Sequence, residues 1–138
     1  MTRFVVDCSV TMGWCFEDEH DPYSEAILEK LGHWEATVPS VWTFEVANTL
    51  LVGERRKRLS KPDASNFLAF LDHLPITIDE SSTRRALSSV LALAREQNLS
   101  AYDAAYLELA VREGLPLATL DRALMKAAAS LEVPVVLK

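Results

Sequence analysis

Four acidic residues raise the chemical question in this chain: Asp7 in RFVVDCS, Glu45 in VPSVWTFEVANTLL, Asp103 in SAYDAAYLELA and Asp121 in ATLDRAL. Laid on a helix, Asp103 has Tyr106 and Leu107 one turn on, with Ala110 after them. Glu108 and Arg112, four apart, are expected to mark the face that meets water, with Asp103 on the other side. A charge aimed inward is costly unless something pairs with it. A local role is also open, because Ser100 and Asp103 fit a capping box. Asp7 ends the first apolar run, Asp79 the third, and Asp121 directly follows the fourth, so each is equally a candidate helix N-cap. Glu45 lies too far into its helix to cap it. With Asn48 and Thr49 it forms a polar strip on a helix otherwise carrying Val41, Trp42, Phe44, Val46, Leu50 and Leu51. Such a strip faces either solvent or a hydrophilic cleft.

If Asp7, Glu45, Asp103 and Asp121 converge, each like-charged pair at about 5 Å costs roughly 3 kcal/mol at an effective dielectric near 20. No lysine or histidine is interleaved with them to offset this. A hard divalent cation would. All-oxygen ligation suits Mg²⁺ or Mn²⁺, and such ions commonly serve phosphate chemistry, so metal-assisted phosphodiester hydrolysis is the leading class.

The elements that must position these acids are legible as alternation. Short apolar runs RFVVD (3–7), ATVP (36–39), PITID (75–79), PLATL (116–120) and PVVL (134–137) read as strands. Helical patterns lie near 9–16, 21–33, 40–58, 62–73, 80–97, 100–113 and 121–131. Ser60 followed by Pro62 is a start signal, and Gly114 followed by Pro116 is a stop. Strands without period-2 polarity, separated by helices, predict an α/β fold whose parallel sheet is covered on both faces. Ligands of open sheets of this kind sit beyond the carboxyl ends of the strands. That is where Asp7 and Asp121 fall.

Bulk properties narrow the class. A chain of 138 residues, 49% hydrophobic and 25% charged, is expected to form a single domain over 1–138. Cys8 and Cys15 match no zinc or CxxC spacing, so both are expected to be free thiols in a reducing compartment. The start MTRFVVDCS has no signal-peptide pattern, and no run approaches the roughly 18 apolar residues of a membrane span. A cytoplasmic protein is expected. The net charge of −6 argues against simple electrostatic adhesion to nucleic acid, although its charges are uneven: EDEHD (17–21) is acidic, ERRKR (54–58) and Arg84–Arg85 basic. The basic runs are either solvated helix ends or a grip for phosphates or a partner. Trp14, Trp34 and Trp42 are expected to anchor the core or a dimer interface, and His20, His33 and His73 to lie at or near the surface.

At this point the residues carry a resemblance. VVDCS with Asp7 and Ser9, the P-x-x-W-x-x-E-x-x-N stretch with Glu45 and Asn48, SAYDAAYLELA with Asp103, and ATLDRAL with Thr119 and Asp121 occur in one order across essentially the whole chain. Together they resemble a PIN-domain ribonuclease of the VapC toxin type. The resemblance implies a three-layer fold with a five-stranded parallel sheet of order 3-2-1-4-5, the acidic quartet lying over the switch point between strands 1 and 4. It implies cleavage of single-stranded or loop RNA (tRNA, rRNA or mRNA) dependent on Mg²⁺ or Mn²⁺, by metal-activated water. It also implies a homodimer and a cognate antitoxin whose C-terminal segment lies across the site. In that reading Asp7, Asp103 and Asp121 hold the ion directly or through water, and Glu45 shares it or holds a second. Ser9, Asn48 and Thr119 orient ligands or waters. Some relatives carry a further acid shortly after the T-x-D aspartate, where this chain has RALMKAA.

Three rival readings remain. A phosphatase with a nucleophilic strand-end aspartate needs a second acid two residues on, where this chain has Ser9. A receiver-like domain could use Asp79 but has no use for Glu45 or Asp103. A catalytically inactive PIN-like binding module gains nothing from clustered acids.

Overall fold

The computed structural model describes residues 2–16, 18 and 20–138; Glu17 and Glu19, within the acidic run, lie outside the described residues. Among them the strands are β1 (Arg3–Val6), β2 (Glu35–Pro39), β3 (Ile76–Asp79) and β4 (Leu117–Ala118). The helices are α1 (Cys8–Met12), α2 (Pro22–Lys30), α3 (Val41–Arg55), α4 (Lys61–Asp72), α5 (Ser82–Arg85), α6 (Leu91–Gln97), α7 (Ala101–Glu113) and α8 (Arg122–Ser130).

The strands pair in parallel in the order β3-β2-β1-β4. Successive strand residues point to opposite faces, yet Phe4, Val5 and Val6 are all fully buried, and Ala36 to Pro39 are buried as well. Both faces of the central strands are therefore covered, as the unbroken apolar runs predicted. β3, with its exposed Thr77 and Ile78, is an edge.

The expected fifth strand is reduced to a single parallel bridge, Leu117 with Val135, beside β4. Leu117 N–H donates to Pro134 O at 2.9 Å and Val136 N–H donates to Leu117 O at 2.9 Å. Pro134 has no N–H to extend the ladder, and Leu137 turns to φ 61, out of extended backbone. The position in the strand order is the expected one; the ladder is not.

Two helical expectations also change. The pattern at 9–16 is helical only through Met12 and then turns. The pattern at 80–97 is not one helix: a π-helical segment, Ala86–Val90, joins α5 to α6. Elsewhere the local signals act as read. Ser60 and Asp63 form a reciprocal capping box at the start of α4, and Gly114 ends α7 at φ 65.

α7 is the helix around which the molecule packs. It lies against β1, β2, β4, α6 and α8, and Ala104 to Ala110 are all buried. A helix covered on nearly every side has no water-facing stripe to spare. Glu108 and Arg112 therefore do not mark a solvent face. Glu108 is only 6% exposed, and Arg112 closes on it, with Nε 2.9 Å from Glu108 Oε2 and an η nitrogen 2.7 Å from Asp79 Oδ2.

Trp42 is buried and donates to Thr11 Oγ1 at 3.0 Å, while Trp14 donates to Ser24 O at 2.7 Å. Trp34 packs edge-on against Phe4. The tryptophans are core anchors. No described helix is long and apolar enough to cross a membrane.

Candidate active site

β1 ends at Val6, so Asp7 is the first residue past the strand, and it is also the N-cap of α1. Both roles hold at once. Its Oδ1 accepts from Val10 N at 3.1 Å and from Ser9 Oγ at 2.6 Å; its Oδ2 accepts from the Thr119 hydroxyl. Val6 pairs with Ala118 across the β1–β4 ladder, which puts Thr119 beside Asp7 at the carboxyl end of the sheet. Thr119 Oγ1 in turn accepts from Asp121 N at 3.0 Å, and Asp121 caps α8 by accepting from Leu124 N at 2.9 Å. Ser9 Oγ accepts from Leu120 N at 3.1 Å. Ser9 and Thr119 thus link Asp7 to the Asp121 turn.

Glu45 is half-buried on α3, where Oε1 accepts from the Tyr106 hydroxyl at 2.5 Å. Asp103 sits in the first turn of α7. Ser100 Oγ accepts from Asp103 N at 3.1 Å, but no bond from Ser100 N returns to the Asp103 carboxylate, unlike the full box on α4. The cap is half made, and the Asp103 carboxylate is not tied to the Ser100 backbone.

The acids act on one another. The Asp7 carboxyl is pushed up by burial first, opposed by its hydrogen bonds, with the Asp103 charge adding to the rise. Glu45 is raised by burial, then by Asp103 and Asp7, against the Tyr106 bond. Asp103 is raised by burial and then by Asp121. All four expected acids therefore share one electrostatic neighbourhood at the sheet edge.

Other expectations divide. Asn48 is exposed and makes no side-chain hydrogen bond to the acids among the described residues. Thr49 follows Glu45 inward and donates to Glu45 O at 2.8 Å. Asp79 is not the cap of α5: it accepts from Arg112 and from Ser81 Oγ. Arg55, Arg56 and Lys57 are exposed at the end of α3, whereas Arg58 pairs with Asp18 and stands over the Phe16 ring. Arg84 and Arg85 are exposed on α5. Cys8, between Asp7 and Ser9, is a half-buried free thiol pushed up to about 12, by burial first and then by Glu45.

Sequence reasoning missed Tyr106 as a partner of Glu45 and Arg112 as a partner of Asp79. The signal for the first was present, since a tyrosine one turn from an inward aspartate needs a partner for its own hydroxyl.

Among the described residues no three His, Cys, Asp or Glu side chains stand close enough to enclose an ion by themselves. The donor set nevertheless suits a hydrated Mg²⁺ or Mn²⁺, which takes one or two carboxylates and keeps several waters. A carboxylate offers about four lone-pair positions. Asp7 uses three of them on Ser9, Val10 and Thr119, while Glu45 and Asp121 each keep one oxygen without a protein donor among the described residues. Carboxylate oxygens without a protein donor among the described residues fit the ion.

A parallel sheet covered on both faces, with Asp7 and Asp121 just past the carboxyl ends of β1 and β4, defines an α/β domain with an acidic site at the end of its sheet. The profile of the PIN domain family matches residues 4–130, and the chain belongs to that family. Ribonuclease VapC3 from Pyrobaculum aerophilum is 31% identical over 132 residues, covering 96% of this chain and 99% of the relative. Two solved structures share the fold. PAE2754 from Pyrobaculum aerophilum matches with a TM-score of 0.68 at 22% identity, covering 91% of this chain and 84% of that one. A toxin-antitoxin complex from Klebsiella pneumoniae matches with a TM-score of 0.63 at 17% identity, covering 96% of each chain.

Proposed function

We propose that the chain is a single-domain endoribonuclease toxin of the VapC type. It hydrolyses phosphodiesters of single-stranded or loop RNA with Mg²⁺ or Mn²⁺, and a cognate antitoxin restrains it in the cytoplasm. The observation that carries this reading is the convergence of Asp7, Glu45, Asp103 and Asp121 on one electrostatic neighbourhood. The influences on three of them are burial, neutral hydrogen-bond donors and one another. The likeness to a relative named as a ribonuclease and to a toxin-antitoxin complex supports the same reading.

Asp7, Asp103 and Asp121 would hold the ion directly or through water, and Glu45 would share it or hold a second. When bound, the ion activates water and offsets the charge that builds on the phosphate. The chain's own residues do the positioning. Ser9 and Thr119 fix both Asp7 oxygens, and Thr119 ties Asp7 to the backbone that carries Asp121. The α7 cap places Asp103 at the helix N-terminus without tying its carboxylate to the cap backbone. The same reading includes pairing with a second copy, supported by the exposed Phe44 and Tyr102, which line one pocket of ≈ 290 Å³, and by exposed Leu87 next to it in sequence.

The test is cleavage of total RNA with and without Mg²⁺ or Mn²⁺. Asp7→Asn and Asp103→Asn are expected to lose cleavage by a hundredfold or more, on the order of the loss when one transition-state-stabilising group is removed, while remaining folded. Full activity in either variant, or undiminished activity in excess EDTA, overturns the reading. One rival is a PIN module that only binds a partner: among the described residues no three His, Cys, Asp or Glu side chains stand close enough to hold an ion by themselves. Intact RNA in both metals, with no heat of Mn²⁺ binding, would select that rival.

A further inference from the structure

Tyr106 is the largest fully buried side chain among the described residues, 1% exposed, on the buried stretch of α7. Its ring fills core space that a phenylalanine ring would fill equally well. The hydroxyl is a separate matter. It lies 2.5 Å from Glu45 Oε1 on α3, a helix 61 residues away in sequence. A buried tyrosine hydroxyl needs a partner, and a carboxylate makes the bond short and strong.

The contrast with Asp7 is informative. Asp7 is short and is fixed by three donors. Glu45 has a longer stem with one more rotatable bond, yet Tyr106 is the only donor to its side chain among the described residues. The neighbouring Thr49 hydroxyl donates to the Glu45 carbonyl, not to its carboxylate. Tyr106 also lies one turn along α7 from Asp103, so one helix carries both an acid of the cluster and the group that fixes a second acid from another helix.

We infer that Tyr106 is a positioning residue: its hydroxyl holds Glu45 in the placement that the divalent ion requires, leaving Oε2 for that ion. The inference rests on the metal-dependent reading above. Partners of this kind, which orient a metal ligand without touching the ion, typically change affinity by roughly 10–100-fold.

The experiment is calorimetric titration of the metal-free full chain with Mn²⁺, run beside RNA cleavage over a series of Mn²⁺ concentrations. Tyr106→Phe is expected to weaken Mn²⁺ binding by roughly tenfold or more. Its half-maximal Mn²⁺ concentration for cleavage rises in parallel, and kcat recovers at excess Mn²⁺. The loss should disappear when Glu45 is already Ala, so that E45A/Y106F binds Mn²⁺ no more weakly than E45A. Wild-type affinity in Tyr106→Phe, or an equal loss in the E45A background, overturns the inference. Should Tyr106→Phe fail to fold, Glu45→Asp serves: it keeps Tyr106 and the charge but withdraws the carboxylate by one methylene. It must lose affinity similarly, and full affinity there overturns the inference as well. A wild-type chain that binds no Mn²⁺ and cuts no RNA overturns the proposed function itself, a result distinguishable from a wild type that does both beside an unaffected Tyr106→Phe.

Discussion

Asp103 shows how one carboxylate can stabilise a helix and still strain the molecule. Its backbone N–H is capped by Ser100, while its side chain meets the charge of Asp121 in partly buried surroundings. A carboxyl raised above its ordinary value of 3.8 binds its proton more tightly in the folded state. Its contribution to stability is therefore complete below about pH 3.8 and is lost as pH rises through the raised folded value. Asp7 and Glu45 act in the same sense, from 3.8 and 4.5 upward. Metal-free protein is thus expected to lose Tm as pH rises above these ordinary carboxyl values, and Mn²⁺ should remove most of that slope. Asp103→Asn should raise the metal-free Tm at pH 7, because it removes the charge that meets Asp121. Thermal melts across pH, with and without Mn²⁺, check both statements; an unchanged or lowered Tm in Asp103→Asn would show that the acids do not repel.

Asp79 has the opposite sign, and the reason lies in the elements. Burial raises its carboxyl, but the bonds from Arg112 and Ser81 outweigh burial and hold it below 3.8. Its stabilisation is present above that value and is lost as pH falls through the lower folded value. Arg112, on the last turn of α7, thereby clamps that helix to the carboxyl end of β3, with Glu108 as the second carboxylate. Arg112→Met should cost about 3 kcal/mol in urea unfolding, because both partners are left as poorly solvated charges. A cost below about 0.5 kcal/mol would place the trio among ordinary surface pairs. The i,i+4 spacing of Glu108 and Arg112 was plain in the chain. Their burial was not, because the spacing describes one helix face and cannot say what packs on it.

At the scale of the whole molecule, net charge and substrate pull in opposite directions. A chain at −6 with acids gathered on one edge repels phosphate there until cations arrive. The arginines on α5 and at the end of α3 are exposed and lie apart from those acids in sequence. Charge reversal at Arg55, Arg56 and Lys57 should weaken RNA or antitoxin binding if this run grips either. Unaltered cleavage and antitoxin affinity would return the run to a solvated helix end. Leu87, 90% exposed and next in sequence to Ala86 of the pocket that Phe44 and Tyr102 line, gives the proposed pairing its own check. Leu87→Asp should shift sedimentation towards a monomer, and an unchanged mass would exclude that face from the interface.

The chain by itself determined the parallel α/β architecture, the places of β1 to β4 and the landing of Asp7 and Asp121 past strand ends. Those features follow from local rules: apolar runs too short for helices, capping residues at starts, and glycine or proline at stops. Tertiary structure alone decided which acids acquired partners. Asp79 met Arg112, Glu45 met Tyr106, and Asn48 was left to solvent, although all were polar residues at comparable signals in the sequence. It also reduced the fifth strand to one bridge and opened a π-helical turn after α5. The physical reason is common to these cases. A residue's type and spacing fix what it can bond, but its partner comes from a segment tens of residues away, and only packing around α7 chooses that partner.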